Sequence, residues 1–126
     1  MPDSVLDRFG RLLMSEVRDR SIRHWKMIAE GSMKGEEALR LHEQFSQMTS
    51  HDQDVAMMCA PQIIDIVLHN LLAMFNQEED LEVSLKLGDG IVPSLRDASD
   101  GLCGELYSEE GWIARFSREE EETGHS

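Results

Sequence analysis

The most constraining feature of this chain is an apolar run from Ile63 to Phe75 that nearly encircles a helix instead of forming one stripe. A surface helix carries a single apolar face, whereas apolar residues on all sides are typical of a helix buried in a core. The run therefore predicts the central, most buried element of the fold. It is interrupted by Asp65 and His69 and is shorter than the roughly 20 apolar residues that span a bilayer, so no membrane association is expected.

Helical spacing extends this element to about residues 51–77. A kink or a break is expected at Pro61, because proline lacks a backbone N–H donor. A long helix over residues 3–30 is predicted before it, with an apolar stripe at spacings of three and four that includes Val17. Another helix is predicted from residue 36 to residue 48. A chain of this length fits one domain.

The C-terminal part of the chain carries patterns typical of strands. Residues 81–87 alternate strictly between apolar and polar, which predicts a strand with one buried face. Residues 105–108 and 112–116 flank a Glu-Glu-Gly turn and predict a β-hairpin. We therefore predict an α+β fold over residues 1–118, in which three or four helices pack against a small antiparallel sheet. A disordered acidic tail is expected over residues 119–126.

All of the net charge lies in the second part of the chain. Residues 1–48 carry eight Lys or Arg and eight Asp or Glu, whereas residues 49–126 carry four against seventeen, which is the whole formal charge of −13. Such an excess of acidic residues repels phosphate backbones and favours a basic partner, so no nucleic-acid binding is expected. The arginines of the first helix, Arg18 among them, are interspersed with acids and indicate a solvated, salt-bridged face.

Two cysteines, Cys59 and Cys103, are too few to indicate a disulfide framework. The N-terminal residues contain no basic region followed by an apolar one, so no secretory signal is visible. We therefore predict a cytoplasmic protein with free thiols. Cys103 has no base or cation beside it in the sequence, so catalysis by this thiol is not expected, and no residue is predicted to be catalytic.

Asp65 and His69 are four residues apart and share one face of the predicted helix. With His24 from the first helix as a third ligand, they are the candidates for a metal site. No HExxH or Cys-x-x-Cys motif accompanies them, and a hydrogen-bonded polar pair at the rim of the core explains the same residues. We therefore predict no cofactor, and a small helical metal-binding protein or metal-dependent enzyme is the alternative function.

The predicted hairpin is acidic and carries two aromatic residues near its turn. The predicted partner-binding surface consists of Glu105, Tyr107, Glu109, Glu110 and Trp112. Complementary charge would speed association with a basic partner, and aromatic side chains would hold it. A solvated turn with one core tryptophan is the alternative interpretation of the same residues.

The segments DGL (residues 100–102), GELYS (104–108) and EGWIARFS (110–117) resemble the C-terminal signature of a family of small, uncharacterised bacterial proteins. The size and acidity of the chain also resemble immunity proteins that neutralise toxins. Neither resemblance supplies a catalytic residue. We predict a small acidic interaction module, immunity-like or regulatory, that binds a basic partner protein. A self-associating structural protein, such as a homodimer, is a further alternative.

Overall fold

The computed structural model describes residues 4–88, 90–92 and 94–119, except for the side chains of Ile91 and Val92, and the chain is mostly helical. The helices are α1 (Val5–Leu13), α2 (Asp19–Glu30), α3 (Glu36–Ser46), α4 (Ser50–Gln77), α5 (Leu95–Ala98) and α6 (Trp112–Phe116). A π-helical turn, Met14–Arg18, joins α1 to α2, and a 3₁₀ helix spans Leu102–Leu106. The strands β1 (Leu85–Leu87) and β2 (Gly90–Val92) pair antiparallel, with Leu85 opposite Val92.

The first helical stretch, residues 5–30, confirms the prediction of one long N-terminal helix. It begins after Ser4, whose hydroxyl accepts a hydrogen bond from the Asp7 N–H at 3.0 Å and so caps the first turn. It ends at Gly31, which takes the left-handed conformation (φ 87°) that glycine adopts without steric penalty. Local sequence signals therefore define both ends of this stretch.

The π-helical turn shifts the buried face of this stretch by one position. The Asp19 N–H donates to the Met14 carbonyl, five residues back, so the turn accommodates one extra residue. As a result Val17, which was predicted on the apolar stripe, is 39% exposed, whereas Arg18 is fully buried. The prediction that Arg18 lies on a solvated face is wrong.

Helix α4 is continuous from Ser50 to Gln77, close to the predicted range of 51–77. The Thr49 hydroxyl caps its first turn by accepting a hydrogen bond from the Asp52 N–H at 3.1 Å. Pro61 is buried inside the helix and does not break it. One helix therefore runs the whole length of the molecule's largest apolar segment.

The core lies where α1, α4 and the C-terminal segment meet. Its buried residues are Leu13, Met14, Leu68, Leu72, Leu95, Leu102, Leu106 and Trp112. The largest of them, Trp112, packs edge-to-face on Phe9 with ring centroids 5.7 Å apart. Its indole also lies directly against Gly10, where an added Cβ would overlap the ring. The tryptophan therefore requires a glycine at that point of α1.

The predicted sheet layer is wrong. Strand pairing in the described part of the chain is limited to β1 and β2, which are three residues each, so the molecule is not an α+β fold with a sheet packed on helices. The alternation over residues 81–87 does place the apolar side chains on the more buried side and the polar ones in solvent. Only Leu85–Leu87 finds a strand partner, because the adjoining helices, not a sheet, cover that buried side.

The predicted hairpin is also wrong, because its first half overlaps the end of the 3₁₀ helix and its second half is α6. Leu102 and Leu106 are buried in the 3₁₀ helix, and Trp112 and Phe116 face inwards four residues apart in α6. Spacings of four place side chains on one face of a helix. Of the predicted tail, Glu119 is held through its N–H by the Asp19 carboxylate, and residues 120–126 lie outside the described residues.

Candidate protein-docking surface

One side of α4 is apolar and uncovered. Leu68 and Leu72 on its inner side are 1% and 0% exposed, but Ile63, Ile66 and Val67 on the opposite side are 58%, 59% and 60% exposed. We call this side the α4 face, and its exposed apolar residues are Val55, Ile63, Ile66, Val67 and Met74. The prediction that the run from residue 63 to residue 75 is buried all round is therefore wrong for half of the helix.

The length and composition of α4 also meet the requirements of a membrane-spanning helix. An 18-residue window of it has a mean hydropathy of 1.5, and only 22% of that window is buried inside the protein. Among the described residues α4 is the one helix with this property. Contiguous exposed apolar surface of this kind is common at sites that bind proteins, ligands or membranes.

A pocket of about 460 Å³ adjoins the α4 face. Its residues come from α4 and from the chain around the 3₁₀ helix and α6, and they are Gln62, Asp65, Ile66, Leu106, Tyr107, Ser108, Ile113 and Ala114. Ile66 belongs both to the pocket and to the α4 face. The pocket therefore joins the apolar helix to part of the surface that the sequence predicted as partner-binding.

The predicted partner-binding residues lie in different environments. Tyr107 is 43% exposed at the pocket, and Glu109 and Glu110 are exposed beside it. The carboxylate of Glu105 is partly buried and accepts a hydrogen bond from the Ser99 hydroxyl at 2.7 Å. Trp112 is 1% exposed in the core, as the alternative interpretation expected. The accessible part of the predicted surface is thus one aromatic edge with two carboxylates.

The Tyr107 hydroxyl lies 3.2 Å from Nδ1 of His69, at the edge of the pocket. Partial burial raises the pKa of this phenol, and the nearby Asp65 carboxylate and the Cys103 thiol raise the pKa further. The phenol therefore stays protonated at neutral pH and presents both a hydrogen-bond donor and an aromatic edge to anything that enters the pocket.

Behind the pocket, Asp65 is fixed by the buried Arg18. Nε of Arg18 lies 2.7 Å from Oδ1 of Asp65, and Nη2 lies 3.2 Å from Oδ2, so the guanidinium engages both carboxylate oxygens. Nη1 donates at 2.9 Å both to the Ser117 hydroxyl and to the Glu119 carbonyl. Asp19, the next residue, accepts from the Ser117 hydroxyl at 2.6 Å. This network ties α4 to the π-helical turn and to the C-terminal segment.

The three metal candidates do not assemble into a site. Asp65 binds Arg18, His69 contacts Tyr107, and His24 is exposed on α2. Within residues 4–88, 90–92 and 94–119, no three His, Cys, Asp or Glu side chains are placed to hold a metal ion. The polar-pair interpretation describes Asp65 and His69 better, although each is paired with a different residue and not with the other.

Sequence reasoning missed the α4 face because an all-round apolar pattern is the same whether the outer half is covered by the chain itself or by something else. One further signal was present in the sequence. Residues 41–85 contain eight Asp or Glu and no Lys or Arg, so the formal charges that this segment itself carries are all negative. No such signal marked Arg18 as buried, since it stands among other charged residues in the sequence.

Comparisons of the chain with protein-family models, with curated proteins and with solved structures found no significant match. The resemblance of residues 100–117 to a bacterial family, and that of the whole chain to immunity proteins, therefore stay predictions from the sequence.

Proposed function

We propose that this chain is a protein-interaction module that binds a basic partner protein through the α4 face. The observation that carries the proposal is the exposure of Ile63, Ile66 and Val67, each at 58–60%, on one side of a 28-residue helix. These residues have the i, i+3 and i+4 spacing with which a helix docks against a groove or a second helix. An immunity-like or regulatory role would consist of covering the partner's surface and would need no catalytic group.

The charge around the α4 face supports a basic partner. Asp52 and Asp54 are exposed in its first turns, and Glu78, Glu79 and Asp80 are exposed just after its end. Residues 41–85 themselves contain no Lys or Arg. Interfaces commonly have an apolar centre and a polar rim, with complementary potentials across the rim. The matching surface is therefore apolar in its centre and carries Lys or Arg around it.

A second copy of the chain matches this face less well. If two α4 helices paired antiparallel, Asp52 of one copy would meet Glu78 and Glu79 of the other, and in a parallel pair each acidic end would meet itself. Like charges across an interface weaken association, and the net charge of −13 adds to the repulsion. Pairing of two copies through the α4 face is therefore less favourable than binding of a basic partner.

A lipid bilayer is also a poor match for the α4 face. Helices that lie in a membrane interface carry Lys and Arg on their polar side, and the cytoplasmic leaflet is itself negatively charged. Helix α4 has no Lys or Arg at all, and it contains Asp52, Asp54 and Asp65. These features favour a protein partner over a lipid surface for the same apolar residues.

The contribution of one side chain can be worked out from its exposure. Complete burial of an isoleucine contributes about 1.5–3 kcal/mol. Because Ile66 is 59% exposed, about 1–2 kcal/mol of that remains for a partner, which corresponds to about a 5- to 30-fold change in Kd. Ile66→Ser removes this contribution without disturbing the core, since the inner side of α4 is formed by other residues.

A designed peptide provides a defined probe for this surface. It is a helix of about 20 residues, which covers about 30 Å of α4, with a leucine stripe at i, i+3, i+4 and i+7 and lysines elsewhere. We expect fluorescence anisotropy to show binding that weakens with salt, because the rim charges are screened. A peptide with the same composition in scrambled order, and one with Glu in place of Lys, should bind much less.

The matched control variant is Leu39→Ser, which changes a 49%-exposed residue on α3 in place of one on the α4 face. Ile66→Ser should weaken peptide binding by about 5- to 30-fold, and Leu39→Ser should leave it unchanged. Equal effects of the two variants would overturn the proposal. It would also fail if light scattering showed oligomers that grow with salt, or if the protein floated with phosphatidylcholine vesicles and ignored the peptide.

A further inference from the structure

The pocket beside the α4 face is built by two segments of the chain that contain no basic residue. Helix α4 supplies three of its lining residues, and the chain from Leu106 to Ala114 supplies the others. Residues 41–85 contain no Lys or Arg, and residues 97–114 contain five Asp or Glu and again no Lys or Arg. The formal charges that these two segments themselves carry are therefore all negative.

Two arginines from outside these segments belong to its surroundings, and each is paired with an acid. The fully buried Arg18 reaches Asp65 from behind, with Nε 2.7 Å from Oδ1, and offsets the charge of that carboxylate. Arg115 follows the last lining residue in the sequence, but its Nη2 lies 2.6 Å from Oδ1 of Asp7 and it does not line this pocket. Asp65 therefore brings no uncompensated charge to the pocket wall.

The uncompensated acids are on the loop that leaves the pocket at Ser108. The Gly111 N–H donates to the Ser108 carbonyl at 3.1 Å, and the Glu110 N–H donates to the Ser108 hydroxyl at 3.3 Å, so the loop forms a tight turn. Glu109 and Glu110 are exposed in it and make no ion pair with any residue in the described ranges. Two carboxylates without a cation thus stand directly beside the pocket in sequence.

The ring of Tyr107 gives the pocket an aromatic wall. The Tyr107 hydroxyl lies 3.2 Å from Nδ1 of His69, and the two ring centroids are 6.0 Å apart, so α4 anchors the phenol from one side. The residue is still 43% exposed. An exposed aromatic ring attracts a cation, and a guanidinium stacks on it well because it is planar and more weakly hydrated than an ammonium group.

The remaining walls are mostly apolar. Ile66, Leu106, Ile113 and Ala114 line the pocket together with Tyr107. Apolar walls of this kind accommodate the methylene stem of a long basic side chain, whose charged end stays near water. The pocket therefore combines a surface for an apolar stem, an aromatic ring and acids beside it.

We propose that this pocket binds one arginine side chain of the basic partner. Its stem lies along Ile66 and Ile113, and its guanidinium stacks on Tyr107 and faces Glu109 and Glu110. The volume of about 460 Å³ is within the range of small-ligand sites and suits one side chain. A lysine has a similar stem but a compact, strongly hydrated cation that stacks less well. This inference rests on the proposed function, because it names the side chain that anchors the partner.

Four small amides test the pocket without the rest of a partner. They are the N-acetyl amides of arginine, of its uncharged isostere citrulline, of lysine and of norleucine. We expect ¹⁵N NMR titrations of the full chain at constant ionic strength to show saturable shifts with the arginine amide at Tyr107, Ser108, Ile113 and Ala114. The Kd of the citrulline amide should be about 3- to 20-fold higher, since it loses the cation–π contact and the ion pairs.

Variants of the ring and of the acids separate the pocket from general attraction to an acidic protein. Tyr107→Leu should raise the Kd of the arginine amide by about 2- to 5-fold. The double variant Glu109→Gln, Glu110→Gln should raise it by about 2- to 10-fold. The matched control Glu36→Gln, Glu43→Gln removes two exposed carboxylates from α3 and should leave the Kd unchanged.

The proposal is overturned if the control variant weakens binding as much as the double variant of the loop does. It is also overturned if the citrulline, lysine or norleucine amide binds as tightly as the arginine amide, or if the shifts fall outside the pocket. Every residue changed in these variants is exposed, so the fold should be retained.

Val67→Ser distinguishes this inference from the proposed function, because Val67 is 60% exposed on the α4 face and does not line the pocket. It should weaken binding of the designed helical peptide and leave the Kd of the arginine amide unchanged. If the peptide binds and the arginine amide shows no preference, only this inference fails. If the arginine amide binds at the pocket and the peptide does not bind, only the proposed docking through the α4 face fails.

Discussion

Replacing Arg18 with methionine tests how much the buried Arg18 network contributes to the stability of the fold. Methionine fills a similar elongated volume but removes the guanidinium that binds Asp65, Ser117 and Glu119. The Asp65 carboxylate, whose side chain is only 13% exposed, would lose its cation and both of its hydrogen-bond donors. The variant therefore leaves a carboxylate in a poorly solvated site with no compensating charge.

The expected loss of unfolding free energy follows from the burial of the Arg18–Asp65 ion pair. Removing one partner of a buried ion pair costs about 3–5 kcal/mol, since the remaining charge is desolvated and unpaired. A domain of this size has about 5–15 kcal/mol of unfolding free energy, so Arg18→Met should remove a large share of it. Arg20→Met is the control two residues away. Arg20 is 72% exposed and 3.6 Å from Glu16, and such surface pairs contribute about 0–1 kcal/mol.

Urea denaturation followed by far-ultraviolet circular dichroism measures both variants against the unaltered chain. The double variant Arg18→Met, Asp65→Leu should recover part of the lost stability, because it also removes the uncompensated carboxylate. The interpretation that Arg18 compensates the Asp65 charge would be refuted if Arg18→Met lowered the unfolding free energy by less than about 1 kcal/mol. It would also be refuted if adding Asp65→Leu lowered the unfolding free energy further, by as much as an independent second substitution would.

Two further predictions concern single residues of the core and the pocket. Tyr107 is the chain's one tyrosine, and burial raises its pKa, with Asp65 and Cys103 adding to the effect, so the tyrosinate absorbance should rise with a midpoint above pH 10.0. The stability that the neutral phenol contributes is then complete below pH 10.0 and is lost as the pH rises through the folded-state pKa. A titration midpoint at or below pH 10.0 would contradict the raised pKa of Tyr107. Gly10→Ala should lower the unfolding free energy by about 1–3 kcal/mol, because the added Cβ would overlap the buried ring of Trp112. The control Gly35→Ala, which has no atom near its Cβ position, should change the unfolding free energy by about 0.5 kcal/mol or less in the same urea denaturation assay.

The helices of the first 77 residues were predictable because their signals are local. Ser4, Gly31 and Thr49 are capping residues that act within one turn, and the long apolar repeats between them exceed the length of any strand. Pro61 did not end α4, since burial of its helix turn outweighs one missing backbone hydrogen bond. Short-range chemistry thus determined where each of these helices starts and stops.

The C-terminal segment was misassigned because five residues are too few to distinguish two periods. In Trp112–Phe116 the first and fifth residues fall on one face of a strand and also on one face of a helix. The choice between them is made by packing against α1 and α4, which the sequence does not display. Short segments that depend on such tertiary contacts are therefore the least predictable part of this fold.

The candidate sites were predictable only in part, for a related reason. The acidic character of the chain followed from the sequence, but the open α4 face did not, because periodicity cannot tell which side of an apolar helix the rest of the chain covers. A second pocket, which Arg23 and Arg115 both line, could not be predicted from the sequence either. Arg23 and Arg115 are far apart in sequence, and the pairing of α2 with the C-terminal segment brings them together.

The absence of Lys and Arg from residues 41–85 also determines how this segment will respond to common reagents. Trypsin cuts after those two residues, so digestion releases the whole of α4 within one peptide, from Leu41 to Lys86. Amine-reactive cross-linkers find no lysine on the helix itself, so they cannot attach to α4 directly. The exposed thiol of Cys59, four residues before Ile63 on the same face, is instead the natural point of attachment for a photo-reactive or fluorescent label.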